Sequence, residues 1–388
     1  MQQQKRDGAK KLRDLLSYLR QDPNNDKLQA AVFDAALAVG EFAEANFQVA
    51  HASRLRPQDK AWRHREALLR LAQGKYAAAQ EILEPLIGDG GGEPSTVFNL
   101  AFATFGLGEI EEASDMAATL RSQPGELGDL AWALWLRCEH RLGHLEDGLA
   151  AFVQAARAAS PEASGVASLM ALDANRGAEA DRWSRETLAS SPNQMEALVT
   201  RGTLALGEQD VAEATSLFER ALQRNRADGR SWSGLAFTHM LRSDFAAART
   251  AFETSVQHMP DHIGTWLGLG WCEVFAGQIE PAKAAFEKAL SLDRNFGESH
   301  GSLAVVLARQ NAVDAARREI ELALRLDRRN LSARYAEAIL SGEADNPEAF
   351  RRLARRVLEQ HPAGGDGTRT LADVVLGPRN RRSGDAQN

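Results

Sequence analysis

Trp266-Leu267-Gly268-Leu269-Gly270, followed by Ala282, Phe286 and Ala289, is the stretch whose spacing fixes the fold. Its apolar and small residues fall three and four apart, which places side chains on one face of an α-helix. Stepping 34 residues in either direction meets the same size classes again. Gly202, Ala236, Gly270 and Ala304 form one small column, and Ala214, Ala248, Ala282 and Ala316 form a second. Phe218, Phe252, Phe286 and Ile320 form a large apolar column, and Ala221, Ser255, Ala289 and Ala323 a third small one. Leu198, Trp232 and Trp266 recur at the same period, with His300 at the fourth position. Four columns that keep their size class over four periods predict a repeat array.

Each unit reads as helix-turn-helix. The first helix carries Trp232, Leu235 and Ala236, the second carries Ala248, Phe252 and Ser255, and Arg242-Ser243-Asp244 makes the polar turn between them. The small column lets two backbones approach, and the aromatic fills the space beside it. Pro192, Pro260 and Pro362, whole multiples of 34 apart, mark ends of second helices, where a residue without an N–H is tolerated.

The register extends outward with less regularity. Gly40-Glu41-Phe42 with Ala45, Ala52 and Pro57 predicts a unit over 26–59, and Gly74-Lys75-Tyr76 with Ala79 one over 60–93. Leu100, Gly108, Ile110 and Ala113 predict a unit over 94–127. Trp132, Gly143, Leu145 and Phe152 follow after a one-residue slip, over about 129–162. The stretch 161–194 is degenerate, keeping Ala180 and Pro192, and 331–364 is partial, with Phe350, Val357 and Pro362. Residues 1–25 are expected to hold an amphipathic capping helix, with Leu12, Leu15, Leu16 and Leu19 on its apolar face. Such caps cover an end unit that has no neighbour. Gly88–Gly92 predicts a flexible joint, and 365–388 a short helix and a disordered basic tail.

The pattern resembles the tetratricopeptide repeat, W-x2-L-G-x2-Y, then A-x3-F, then A, then P. The resemblance covers about 26–364, some ten repeats, and is strongest over 195–330. The Tyr column departs from it, holding Ala205, His239, Glu273 and Leu307. The resemblance implies an all-α, right-handed superhelical solenoid of antiparallel helix pairs, whose first helices line a concave groove. Carried over position by position, the lining is Ser95, Phe98, Phe102 and Phe105 in one repeat and Arg230, Ser233, Phe237 and Met240 in another. Gly264, Leu267, Trp271 and Val274 follow, then Ser332, Tyr335, Ile339 and Gly342. This wall is apolar and aromatic, the surface chemistry of docking sites. The columns that hold a carboxylate clamp in some relatives are apolar or small here. The expected guest is therefore an apolar or amphipathic peptide or partner protein, anchored on Phe102, Phe237 and Trp271.

Composition narrows the function classes. The chain has 388 residues and a net charge of −7, an acidic balance that argues against general nucleic-acid binding. Cys138 and Cys272 form no CxxC pair, so neither a disulfide framework nor a zinc site is expected and a reducing, cytoplasmic setting fits. The polar start Met1-Gln2-Gln3-Gln4-Lys5 predicts no signal peptide, and no apolar run predicts a membrane span.

Motifs with a chemical reading have plainer ones beside them. Gly297-Glu298-Ser299-His300-Gly301 spells GxSxG, but the nucleophile elbow needs a strand before it. Gly268 and Gly270 lack the βαβ context of a dinucleotide site. His140 with His144 and His258 with His262 have the i,i+4 metal spacing, yet Gly143 and Pro260 interrupt them. Arg317, Arg318, Arg328, Arg329, Arg351, Arg352, Arg355 and Arg356 alternate with Glu319, Glu321, Asp327 and Glu359, a solvated helical face. The expectation is a non-enzymatic scaffold or adaptor without cofactor or metal, in an assembly of the secretion, pilus or polysaccharide-export type. The alternatives are a chaperone-like binder of a single secreted client and a regulatory subunit of an enzyme. Self-association through a terminal repeat, giving a homo-oligomer, is a further expectation.

Overall fold

The computed structural model describes residues 2–88, 92–155 and 160–345. Among them the only regular elements are helices, and the chain divides into two units, Met1–Arg176 and Gly177–Asn388. The first unit holds α1 (Gln2–Gln21), α2 (Asp26–Val39), α3 (Phe42–Leu55), α4 (Lys60–Ala72) and α5 (Tyr76–Ile87). It continues with α6 (Pro94–Leu107), α7 (Ile110–Leu120), α8 (Glu126–Leu142), α9 (Leu145–Gln154) and α10 (Pro161–Asp173). The second holds α11 (Gly177–Ser190), α12 (Met195–Gly207), α13 (Val211–Arg224), α14 (Gly229–Leu241) and α15 (Phe245–His258). Then come α16 (Ile263–Phe275), α17 (Ile279–Leu292), α18 (Gly297–Arg309), α19 (Val313–Leu326) and α20 (Leu331–Leu340). Within each unit these stack as consecutive helix pairs, each helix on the next. This is an all-α solenoid. The boundary between units falls inside 161–194, the degenerate repeat.

The columns act as one packing device. Phe218 is fully buried, and a Cβ on Gly202 of its own pair would stand 2.9 Å from its ring. A Cβ on Gly234 of the following pair would stand 2.3 Å from the same ring. Phe286 and Gly270 repeat the contact at 2.3 Å. Each aromatic of a second helix thus occupies the hollow that a small residue leaves in a first helix.

The turns between paired helices share one backbone feature. A left-handed residue recurs at Gly40, Gly74, Gly108, Gly143, Asn175, Gln209, Ser243, Gly277 and Asn311. The steps are 34 residues except for one of 35 and one of 32 around Gly143, so this column carries the register through the degenerate repeat. Left-handed backbone costs an L-residue roughly 1–2 kcal/mol, and glycine nothing comparable. Replacing Gln209 by Gly is expected to stabilise the second unit by about 0.5–1 kcal/mol, after subtracting glycine's unfolded-state entropy. Urea unfolding followed by helical circular dichroism measures it, and a loss of stability would contradict the strain at Gln209.

Helix α1, Gln2–Gln21, lies within 1–25, where the capping helix is expected. Leu12 and Leu19 are buried against Val32, Phe33 and Ala36, with Leu15 and Leu16 half-buried beside them. The predicted second helix of the last repeat, the basic tail and most of the predicted joint fall at 346–388 and 89–91, outside the described residues.

Candidate functional site

In the second unit the first helices α12, α14, α16, α18 and α20 touch in succession. Residues three or four apart on them therefore make one continuous face. On α16 that face carries Trp271 and, one turn on, Phe275. Trp271 is half-buried and lies 5.8 Å from the Phe286 ring and 5.9 Å from Phe275. Its ring stands 6.5 Å from Tyr335 of α20. Phe275 is 59 % exposed, and Phe245 stacks on it at 5.9 Å with 22° between the planes. Arg309, the last residue of α18, donates from Nη2 to the Tyr335 hydroxyl at 2.8 Å and sits over its ring. Four aromatic rings and a guanidinium form a contiguous row.

Among the groove residues expected from the sequence, Phe237 and Met240 are half-buried beside the row's start, with Phe237 edge-on to Phe252 at 5.1 Å. Tyr335 and Ile339 are half-buried on α20. The structure differs at Leu267 and Val274. They are 7 % and 6 % exposed and pack with Leu303 and Val306 beneath α18, because the neighbouring first helix closes over that flank. They are core residues. Phe275, Phe245 and Arg309 carry the face instead. Phe275 lies one turn beyond Trp271, and a reading of the i,i+4 apolar pair at 271 and 275 would have found it.

A polar network underlies the row. The Trp271 indole donates to Ser302 Oγ at 3.1 Å, and Ser302 donates to Glu298 at 3.3 Å. Glu298 also accepts from Asn330 at 3.0 Å and from Ser332. Burial pushes the Glu298 carboxyl above its usual range despite hydrogen bonds from Ser332, Ser302 and Asn330 that act the other way. A carboxyl raised in the fold contributes its full stability below the unfolded value and loses it as pH rises through the folded one. Glu298→Gln is therefore expected to flatten the decline in stability as pH rises above the free carboxyl's value of about 4.3. Thermal melts from that pH upward measure it, and an unchanged slope would show that Glu298 is not the titrating group.

The first unit has its own smaller patch. Phe102 is 36 % exposed and lies edge-on to Tyr76 at 6.2 Å. Phe98 and Phe105 are half-buried on the same helix, and Arg141 lies 5.4 Å over the Phe105 ring.

The residues with a catalytic or metal reading are placed otherwise. Ser299 is fully buried within α18, and no strand precedes it among the described residues. His300 is held by Glu319 at 2.6 Å and by the Arg294 carbonyl at 2.9 Å. Burial pushes the Cys138 thiol up to about 12 and the Cys272 thiol up to about 11, so neither is a nucleophile at neutral pH. His140 meets Asp173 at 2.7 Å, and His144 meets Glu139 at 3.1 Å. His262 caps α16 by accepting from the Thr265 N–H at 3.2 Å. Among the described residues no three His, Cys, Asp or Glu side chains gather as metal ligands, and no helix is long and apolar enough to cross a membrane.

Two tetratricopeptide-repeat models match the chain, one over 199–262 and one over 263–296. No curated protein is similar enough to count as a match. A monomeric variant of IFIT1 with Gppp-AAAA superposes at a TM-score of 0.53 and 15 % identity, over 86 % of each chain. A second IFIT1 variant, with m7Gppp-AAAA, gives 0.52 and 14 %, again over 86 % of each chain. YrrB, a repeat protein described as having an unusual peptide-binding site, gives 0.36 and 15 %, over 46 % of this chain and 94 % of its own. At these identities the likeness is one of fold. With its 34-residue columns, its helix pairs stacked in each unit and two adjacent repeat models matched at its most regular stretch, the chain is a tetratricopeptide-repeat protein.

Proposed function

We propose that this chain is a non-enzymatic interaction scaffold that holds a peptide segment of a partner protein against the first-helix face of its second unit. The observation that carries the reading is the row Phe245, Phe275, Trp271 and Tyr335, which leaves aromatic surface that no further helix covers among the described residues. Exposed aromatic clusters are expensive for a soluble chain unless something docks on them, and aromatic residues dominate binding hot spots. The patch at Phe102 and Phe105 offers a second, smaller platform of the same chemistry.

A photo-cross-linking side chain at position 275 in the full chain, used in the native host, is expected to capture partner protein. The same group at Glu219, exposed on α13, is expected to capture none. Trp271→Ala should lower the yield at 275 at least tenfold while leaving helical content intact, since hot-spot truncations cost about 2 kcal/mol or more. Equal capture at both positions, or capture indifferent to Trp271→Ala, would discard the face as a docking site.

A further inference from the structure

We propose that in the free protein the aromatic row is covered by the chain's own Leu371-Ala372-Asp373-Val374-Val375-Leu376, and that a partner segment docks by displacing it. This deepens the scaffold reading and rests on it. The row has a regular pitch. Its successive rings stand 5.9 Å apart from Phe245 to Phe275, 5.9 Å from Phe275 to Trp271 and 6.5 Å from Trp271 to Tyr335. An extended chain sets alternate side chains on one side at roughly 6.6 Å, twice its rise per residue. Four rings at that pitch leave three hollows between them, and three apolar side chains at alternate positions fit those hollows.

Two pieces of the chain beyond Asp345 carry clustered apolar side chains. Phe350, Leu353, Val357 and Leu358 have helical spacing. The 34-residue register assigns them to the second helix of the last pair, and Ile320, Leu324 and Leu340 line a groove between α19 and α20 that suits such a helix. Past Pro362 the run 371–376 is the only apolar cluster, and Ala372, Val374 and Leu376 alternate within it. Val374 and Val375 are β-branched and favour an extended backbone. Six residues are also too few for a helix to hold by itself. The run therefore presents three apolar side chains at the pitch of the row.

The run is also within reach. Tyr335, the last ring, lies on α20, and the described chain ends ten residues on, at Asp345. Twenty-six further residues lead to Leu371, a span of about 40 Å even at the helical rise of roughly 1.5 Å per residue. Gly364, Gly365 and Gly367 permit the chain to turn back. A segment tethered at such range stands at an effective concentration on the order of a millimolar. A contact too weak to persist between molecules is then occupied within one. Docking takes Phe275, 59 % exposed, out of water, and so removes a patch that invites unspecific association. The tail sets a threshold: a partner segment is held only if it binds the rings better than the tail does.

The full chain with a photo-cross-linking side chain at position 275, purified and illuminated alone, tests this. Tryptic digestion is expected to recover position 275 joined to Thr370–Arg379, in a yield unchanged by about tenfold dilution. A cross-linker at Glu219 should give no such product. Val374→Asp with Leu376→Asp should leave helical content intact and lower the yield at least tenfold, because a carboxylate set against aromatic rings loses its water and gains no partner. In the native host the same double variant should raise capture of partner protein at position 275 severalfold. A yield that the double variant leaves unchanged, or a product that also forms from Glu219, would overturn the proposal. A yield that falls with dilution would overturn it too, by placing a second copy on the row. No product at Thr370–Arg379, with position 275 still capturing partner protein in the host, would overturn the tail alone and leave the docking face standing. The product in the purified chain with no capture in the host, even from the double variant, would overturn displacement and the scaffold reading with it. Neither product nor capture would remove both readings.

Discussion

Truncating Phe286 to Ala is expected to destabilise the second unit by about 3–5 kcal/mol, the cost of emptying a fully buried aromatic site. The ring fills the hollow above Gly270 and is packed edge-on by Trp271 at 5.8 Å. Its loss opens a cavity shared by α16, α17 and α18. Neighbouring backbones cannot collapse into it freely, because each helix is also held by the next pair. In a stacked array such damage spreads first to nearest neighbours. Native-state hydrogen exchange of the full chain should therefore show protection falling most in α16–α18 and least in α11. A loss below about 1 kcal/mol, or an even loss across the unit, would mean that the aromatic column is not the keystone the packing makes it. The aromatic row would suffer with it, since Trp271 leans on Phe286.

Arg249→Ala is expected to cost about 2–3 kcal/mol, at or below the low end of the range for breaking a buried pair because Arg249 is itself partly solvated. Its partner Glu273 is buried in α16, and the hydrogen bond between them, helped by their opposite charges, holds the Arg249 guanidinium above its ordinary value. Removing the arginine strands a carboxylate with nothing to replace the water it lost on folding. Glu273→Leu alone is expected to be close to neutral, since the arginine then returns to solvent. Arg249→Ala in the Glu273→Leu background should cost under about 0.5 kcal/mol. A double-mutant cycle by urea denaturation reads all three, and additive losses would refute the stranded-charge account.

This pair also shows where sequence reading stops. Glu273 stands in the column that holds Tyr in the tetratricopeptide pattern. From the sequence it is a departure that weakens a repeat. In the structure Arg249 of the preceding helix turns it into an internal tie. The partner is 24 residues away, and nothing in either residue's local pattern announces the other.

The degenerate repeat gives a similar lesson. Its columns fade over 161–194, yet α10 and α11 form there, and Asn175 keeps the left-handed turn at its place in the register. Gly40, Gly74, Gly108 and Gly143 make that turn legible in the first repeats, because glycine is the residue that advertises a positive φ. Gln209 and Ser243 adopt the same conformation without advertising it. There the packing of the two flanking helices dictates the backbone, and the side chain bears the strain.

The sequence alone determined the helices, their pairing and the 34-residue register, because size class at fixed spacing decides which faces can bury one another. It also marked Phe102, Phe237 and Trp271 as candidates for a docking face. Only the tertiary structure decided which of the marked residues remain available. Leu267 and Val274 share a helix with Trp271 and have the same apolar character, but α18 covers them and leaves Phe275 open. The difference is set by where the next helix crosses, which depends on contacts between residues more than 30 positions apart in the chain. The contact between Arg309 and Tyr335, 26 residues apart, likewise exists only once the stack brings them together.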